Sequence, residues 1–136
     1  MAAPDIYSHN IECVERISKK VRPQSDWKRS MSMLQASVEW GLETKTGIMV
    51  GLGENDREVL ETMREAASLG VTIFNIGQYL QPTINHLPVQ RFVHPDIFEM
   101  YRKRGLKMGF RVVESGPLVR SSYHADEQVR SLSMTY

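Results

Sequence analysis

The chain has 136 residues, a formal net charge of +1, 41% hydrophobic and 24% charged residues, the composition of one globular domain. So small a charge supplies no electrostatic attraction for nucleic acid or an anionic membrane, and no apolar run is long enough to span a bilayer. The lone Cys13 excludes an internal disulfide and cannot by itself hold zinc or an iron–sulfur cluster.

The opening residues Met1-Ala2-Ala3-Pro4-Asp5 lack the basic and apolar regions of a signal peptide. They run at once into Ile6 to Glu12, read as a buried strand that ends in a polar loop, an abrupt start that suggests a piece of a larger unit. Cys13 to Val21 reads as a short helix with Val14, Ile17 and Val21 on one face, stopped by Arg22-Pro23. Ser25 is placed to cap a helix that runs to about Trp40, with Trp27, Met31, Leu34 and Val38 as its apolar stripe and Gly41 after it.

Leu42 to Val50 reads as a strand, its centre Thr46 to Val50 buried on both faces, ending in Gly51-Leu52-Gly53-Glu54. Asn55 with Glu58 resembles a capping box for a helix to about Leu69, ended by Gly70. Val71 to Ile76 is the next expected strand, followed by a long irregular stretch from Gly77 to Val93, a length usually kept for function. Pro95 opens a helix to about Met108 with Ile97, Phe98 and Tyr101 inward; Gly109 caps it, and Phe110 to Val113 is the last expected strand. Gly105 interrupts that helix at roughly 1 kcal/mol relative to alanine.

This alternation predicts parallel β/α units with right-handed crossovers. Polar chemistry follows each strand, at Asn10 and Glu12, at Gly51 to Glu54, at Gln78 to Gln81, and in the segment from Gly116 onward. In parallel sheets and barrels the strand C-termini carry the site, so these clusters are expected to face one another. About four strands make half an eight-stranded barrel.

Individual signals are weaker. The third glycine of a dinucleotide fingerprint after Gly51 and Gly53 would fall at Asp56, which disfavours a Rossmann reading. His9, His86, His94 and His124 have no metal-binding spacing, Ser121-Ser122 lacks a nucleophile elbow, and Cys13 is by default a structural thiol. Glu12 and Glu54 follow different strands and suit either a ligand's ammonium and hydroxyls or plain solvation.

Ser8-His9-Asn10-Ile11-Glu12, Lys45-Thr46-Gly47-Ile48-Met49-Val50-Gly51-Leu52-Gly53-Glu54, Gly77-Gln78-Tyr79-Leu80-Gln81-Pro82-Thr83, His86-Leu87-Pro88-Val89 and Gly116-Pro117-Leu118-Val119-Arg120-Ser121-Ser122-Tyr123-His124-Ala125-Asp126 together resemble the lipoyl synthases. The resemblance covers nearly the whole chain in order, and its Gln-Tyr-Leu-Gln-Pro-Thr and Arg-Ser-Ser-Tyr-His words are specific; Gly-Leu-Gly-Glu is shared with other radical S-adenosylmethionine enzymes such as biotin synthase. It implies the C-terminal half of a partial parallel β/α barrel, with residues 1–115 in the barrel and 116–136 as a tail carrying a serine motif. The implied activity is radical insertion of two sulfur atoms at carbons 6 and 8 of a protein-bound octanoyl group, using two [4Fe-4S] clusters and S-adenosylmethionine.

The resemblance further implies that Asn10, Glu12, Gly51, Gly53 and Gln78 contact S-adenosylmethionine, that Arg120 orients the auxiliary cluster, and that Ser122, with Ser121 as the neighbouring alternative, ligates its iron. The implied partner is an octanoylated lipoyl carrier domain of a 2-oxoacid dehydrogenase complex or the glycine cleavage H protein, with no nucleic acid and no membrane. The implied compartment is cytoplasmic in bacteria and mitochondrial or plastid in eukaryotes. The chain departs from the pattern in lacking both cysteine motifs that hold the clusters, so it is expected to be inactive alone. The alternative reading is a non-catalytic half-barrel that binds a carrier domain or a complementing half. An open half-barrel also leaves two sheet edges, which predicts self-association.

Overall fold

A computed structural model describes residues 6–24 and 26–119. The elements run β1 (Ile6–Ser8), α1 (Glu15–Val21), α2 (Trp27–Glu39), β2 (Glu43–Val50), α3 (Asp56–Ser68), β3 (Ile73–Gln78), α4 (Pro95–Met108) and β4 (Val112–Gly116). All neighbouring strands are parallel, and their order in the sheet is β1-β2-β3-β4. Strands placed side by side in sequence order belong to a barrel wall rather than a doubly wound sheet, whose order reverses at a switch point.

Local chemistry explains the helix starts. Asn55 and Glu58 form the expected capping box, each side chain accepting the other's backbone N–H, at 2.8 and 3.0 Å. The cap of α2 is Asp26 and not Ser25, because the Asp26 carboxylate accepts the Arg29 N–H at 3.0 Å; Ser25 itself lies outside the described residues. His94 caps α4 through Nδ1, which accepts the Asp96 N–H at 3.0 Å.

Two strands lie later in the chain than periodicity predicts. Val71 is buried yet sits in the turn after α3, where its N–H donates to the Ala66 carbonyl, so β3 begins at Ile73. Arg111 reaches out to Glu43 at 2.6 Å, and the β4 ladder begins after it. β3 therefore extends through Gln78, and β4 through Gly116.

In-register residues of a parallel sheet share a face. One face, with Thr44, Thr46, Ile48, Val50, Phe74, Ile76 and Val113, packs on the helices and forms the core. Ser37 and Thr44 hydroxyls meet at 2.6 Å, and Ser115 donates to the Phe98 carbonyl at 2.7 Å, tying α2 and α4 to this face. Gly105, which the sequence marks as a weak point of α4, is buried against it. A Cβ there would lie 2.7 Å from Met63 Cε and 2.9 Å from Val113 Cγ2, so the glycine allows the close approach of helix to sheet.

Candidate functional site at the C-terminal ends of the strands

The site starts with an irregularity in the first strand. Ser8 pairs with Lys45 and Glu12 with Ile48, four steps on one chain against three on its neighbour, so one extra residue bulges out. Such bulges re-aim side chains beside sites. The bulge closes in a γ-turn in which the Cys13 N–H donates to the Ile11 carbonyl at 2.9 Å, with Glu12 at φ 72° at the apex. This form is rare and strained. Glu12 is the only non-glycine described residue with positive φ, a conformation that costs about 1–3 kcal/mol and clusters at functional sites. The Met49 N–H holds it there by donating to the Glu12 carbonyl at 2.8 Å.

The Glu12 carboxylate is partly exposed, and its contacts to the Arg22 guanidinium are long, 3.4 and 3.5 Å. Asn10 lies half-buried on the bulge. His9 is anchored, its carbonyl accepting from Thr46 Oγ1 at 2.7 Å and its ring meeting Ser30 Oγ at 3.1 Å. Burial lowers its pKa, against the opposing charge of Glu12.

Beyond β2, the Gly51-Leu52-Gly53-Glu54 loop is closed by its own carboxylate. Buried Glu54 accepts the Gly51 and Leu52 N–H groups at 2.9 and 3.0 Å, so it acts as a staple and not as a second ligand-facing partner for Glu12. Gly51 has φ 101°, and a Cβ there would strike Gln78 Nε2 and come within 2.6 Å of the Arg91 carbonyl. Gly53 needs its glycine only for φ 115°. Next to it, Arg16 of α1 binds Gly53 O at 2.9 Å and grips Glu58 at 2.7 and 2.9 Å. That hydrogen bond, outweighing burial, holds the Glu58 carboxyl down to about 2.

Gln78 closes β3 on the helix side of the sheet, in register with buried Val50. Its amide donates to the Tyr79 and Arg91 carbonyls, both at 3.0 Å, and accepts the Val93 N–H at 2.8 Å. Tyr79 donates to the Leu87 carbonyl at 2.7 Å, and Asp56 accepts from both Arg91 at 2.9 Å and Tyr101 at 2.7 Å. The long stretch after β3 is thus an ordered loop clamped onto the ends of β2, α3 and α4. Arg120, Ser121 and Ser122 lie outside the described residues.

The face away from the helices carries groups that sequence periodicity missed. Ser8, Lys45, Asn75 and Glu114 alternate there with Gly47, Gly77 and Gly116. Lys45 is 8% exposed, and burial lowers its pKa against the opposing charge of Glu114. The Ser8 hydroxyl and the Asn75 carbonyl oxygen are buried without a hydrogen-bond partner, a state rare in a packed core and usual where a water or ligand belongs. The two-residue alternation Lys45-Gly47 and Ile73-Asn75-Gly77 is the signal that identifies this face. Among the described residues no three His, Cys, Asp or Glu side chains could hold a metal ion, and no helix is long and apolar enough to cross a membrane.

A parallel sheet in sequence order, helices on one face and polar groups gathered at the strand C-termini define part of a β/α-barrel protein with its site at the mouth. No protein-family model matches the chain. It is, however, 52% identical to the lipoyl synthase of Stutzerimonas stutzeri over 127 residues, 54% to that of Rubrobacter xylanophilus over 129, and 51% to that of Pseudomonas syringae pv. tomato over 129. These alignments cover 92–93% of this chain but 39–41% of the relatives, so the chain spans about two-fifths of their length, at the C-terminal end. Over nearly its whole length the chain is thus similar to the C-terminal part of lipoyl synthases.

Proposed function

We propose that the chain serves as the C-terminal part of a lipoyl synthase, in which two sulfur atoms are inserted at carbons 6 and 8 of an octanoyl group on a lipoyl carrier domain. The carrying observation is 51–54% identity across nearly the whole chain to proteins of that name. S-adenosylmethionine, when bound, supplies the hydrogen-abstracting radical. Glu12 suits it: a strained, partly exposed carboxylate with only long cationic contacts can accept from an ammonium or ribose hydroxyls. Asn10 stands beside it on the bulge. Gly51, Gly53 and Gln78 support binding by shaping the mouth, since the Gln78 amide is engaged with the loop.

An iron–sulfur cluster does not fit this chain alone. Its single cysteine, Cys13, is fully buried, and burial, followed by the charges of Glu12 and Glu54, pushes its thiol up to about 12. The [4Fe-4S] thiolates of the assembled enzyme would come from sequence outside this chain, with Ser122, or its neighbour Ser121, as an oxygen ligand of the auxiliary cluster and Arg120 orienting that cluster.

The test mixes the purified chain with a lipoyl synthase lacking the matching part, S-adenosylmethionine, reductant and an octanoylated carrier domain. The chain alone should yield no 5′-deoxyadenosine, and the mixture should yield a carrier domain heavier by two sulfurs. 5′-Deoxyadenosine from the iron-reconstituted chain alone would contradict the assignment. The chain's two-fifths span favours one other reading, a non-catalytic half-barrel, which a stable complex with the carrier domain but no sulfur insertion would support.

A further inference from the structure

After β4 the chain does not run on past the sheet. Gly116-Pro117-Leu118-Val119 form a turn closed by the Val119 N–H donating to the Gly116 carbonyl at 3.2 Å, with proline at the position such turns favour. The turn brings Val119 back across the face away from the helices and onto Gly77 of β3. A Cβ on Gly77 would collide with the Val119 carbonyl oxygen and lie 3.0 Å from its carbon, whereas a Cβ on Gly116 would make an ordinary 3.9 Å contact with Val119 Cγ2. Gly77 has no positive φ that would demand glycine. Its bareness answers to the chain above it.

The geometry points to Gly77 as a positioning residue, the seat that fixes where the chain leaves the sheet toward Arg120, Ser121 and Ser122. This rests on the reading of Ser122 as an iron ligand only for its purpose. Three residues span at most about 11 Å, so the seat of Val119 is the anchor of the short tether that leads to Ser122. A methyl group on Gly77 must lift the Val119 peptide, and the tether with it.

Gly77→Ala and Gly116→Ala in the whole chain test the seat by amide hydrogen exchange at Val119 and by tryptic cleavage after Arg120. Gly77→Ala should speed both by about tenfold or more while exchange in β2 stays protected, and Gly116→Ala should leave both near wild type. Equal behaviour of the two variants, or no change in either, overturns the proposal. Should Gly77→Ala fail to fold, insertion of one glycine after Leu118 replaces it; an intact sheet with an unaltered Arg120 cut would be equally fatal. Ser122→Ala should change neither readout, so the seat and the ligand assignment fail separately.

Discussion

At the residue scale, Glu12 is where the proposed ligand contact and stability pull apart. Its left-handed backbone is imposed by the bulge, the γ-turn and the Met49 N–H, and a non-glycine residue in that region costs about 1–2 kcal/mol. Glycine should relieve this and alanine should not. In urea unfolding, Glu12→Gly is expected to be more stable than Glu12→Ala by about 1 kcal/mol. Both should lose binding of S-adenosylmethionine by the assembled enzyme, because both remove the carboxylate. Equal stabilities would mean that the turn relaxes when the side chain is cut back. Tight S-adenosylmethionine binding by either variant would remove Glu12 from the site.

At the element scale, the β2–α3 loop is held by two carboxylates with different duties. Glu54 closes the glycine turn from inside, while Glu58 closes the capping box and receives Arg16 from α1. The folded Glu58 carboxyl is depressed from its ordinary 4.5 to about 2. Its contribution is therefore present above the unfolded pKa and is lost as pH falls from about 4.5 toward 2. Stability measured across that window should fall less steeply in Glu58→Gln than in wild type, and Arg16→Ala should flatten it in the same way. Parallel acid limbs in all three would show the ion pair to be too solvated to matter, since Arg16 is itself largely exposed. Gly105 carries the complementary lesson for α4: helix propensity marks it as a flaw, but its neighbours Met63 and Val113 require it.

At the scale of the whole molecule, β1 and β4 are the edges of the described sheet, and nothing among the described residues pairs with their outer sides. The face away from the helices is already buried at Lys45, Ile73 and Asn75, so the strand edges are where another chain can add. Open parallel edges are templates for pairing with another chain. Sedimentation velocity is expected to show concentration-dependent association of the chain, reduced when the complementing part of a lipoyl synthase is added. A clean, cooperative monomer across the concentration series would contradict this.

Much was decided by the order of residues alone. The β/α alternation, the Asn55–Glu58 capping box, the stop at Arg22-Pro23, the glycines after three helices and the clustering of polar groups behind each strand are local patterns, set by backbone sterics and by the 3.6- and 2-residue periods. Tertiary structure decided what local rules cannot weigh. Val71 and Phe110 are apolar because they lie under helix ends, so β3 and β4 start two residues later than their apolar runs. Glu54 turned inward because two backbone N–H groups needed an acceptor, and Gln78 turned to the helix side to clamp a loop thirteen to fifteen residues away in sequence. Gly77 is bare because the returning chain at Val119 occupies the space of its side chain. Each depends on which distant atoms share a small volume, and that is settled only when strands, helices and loops pack together.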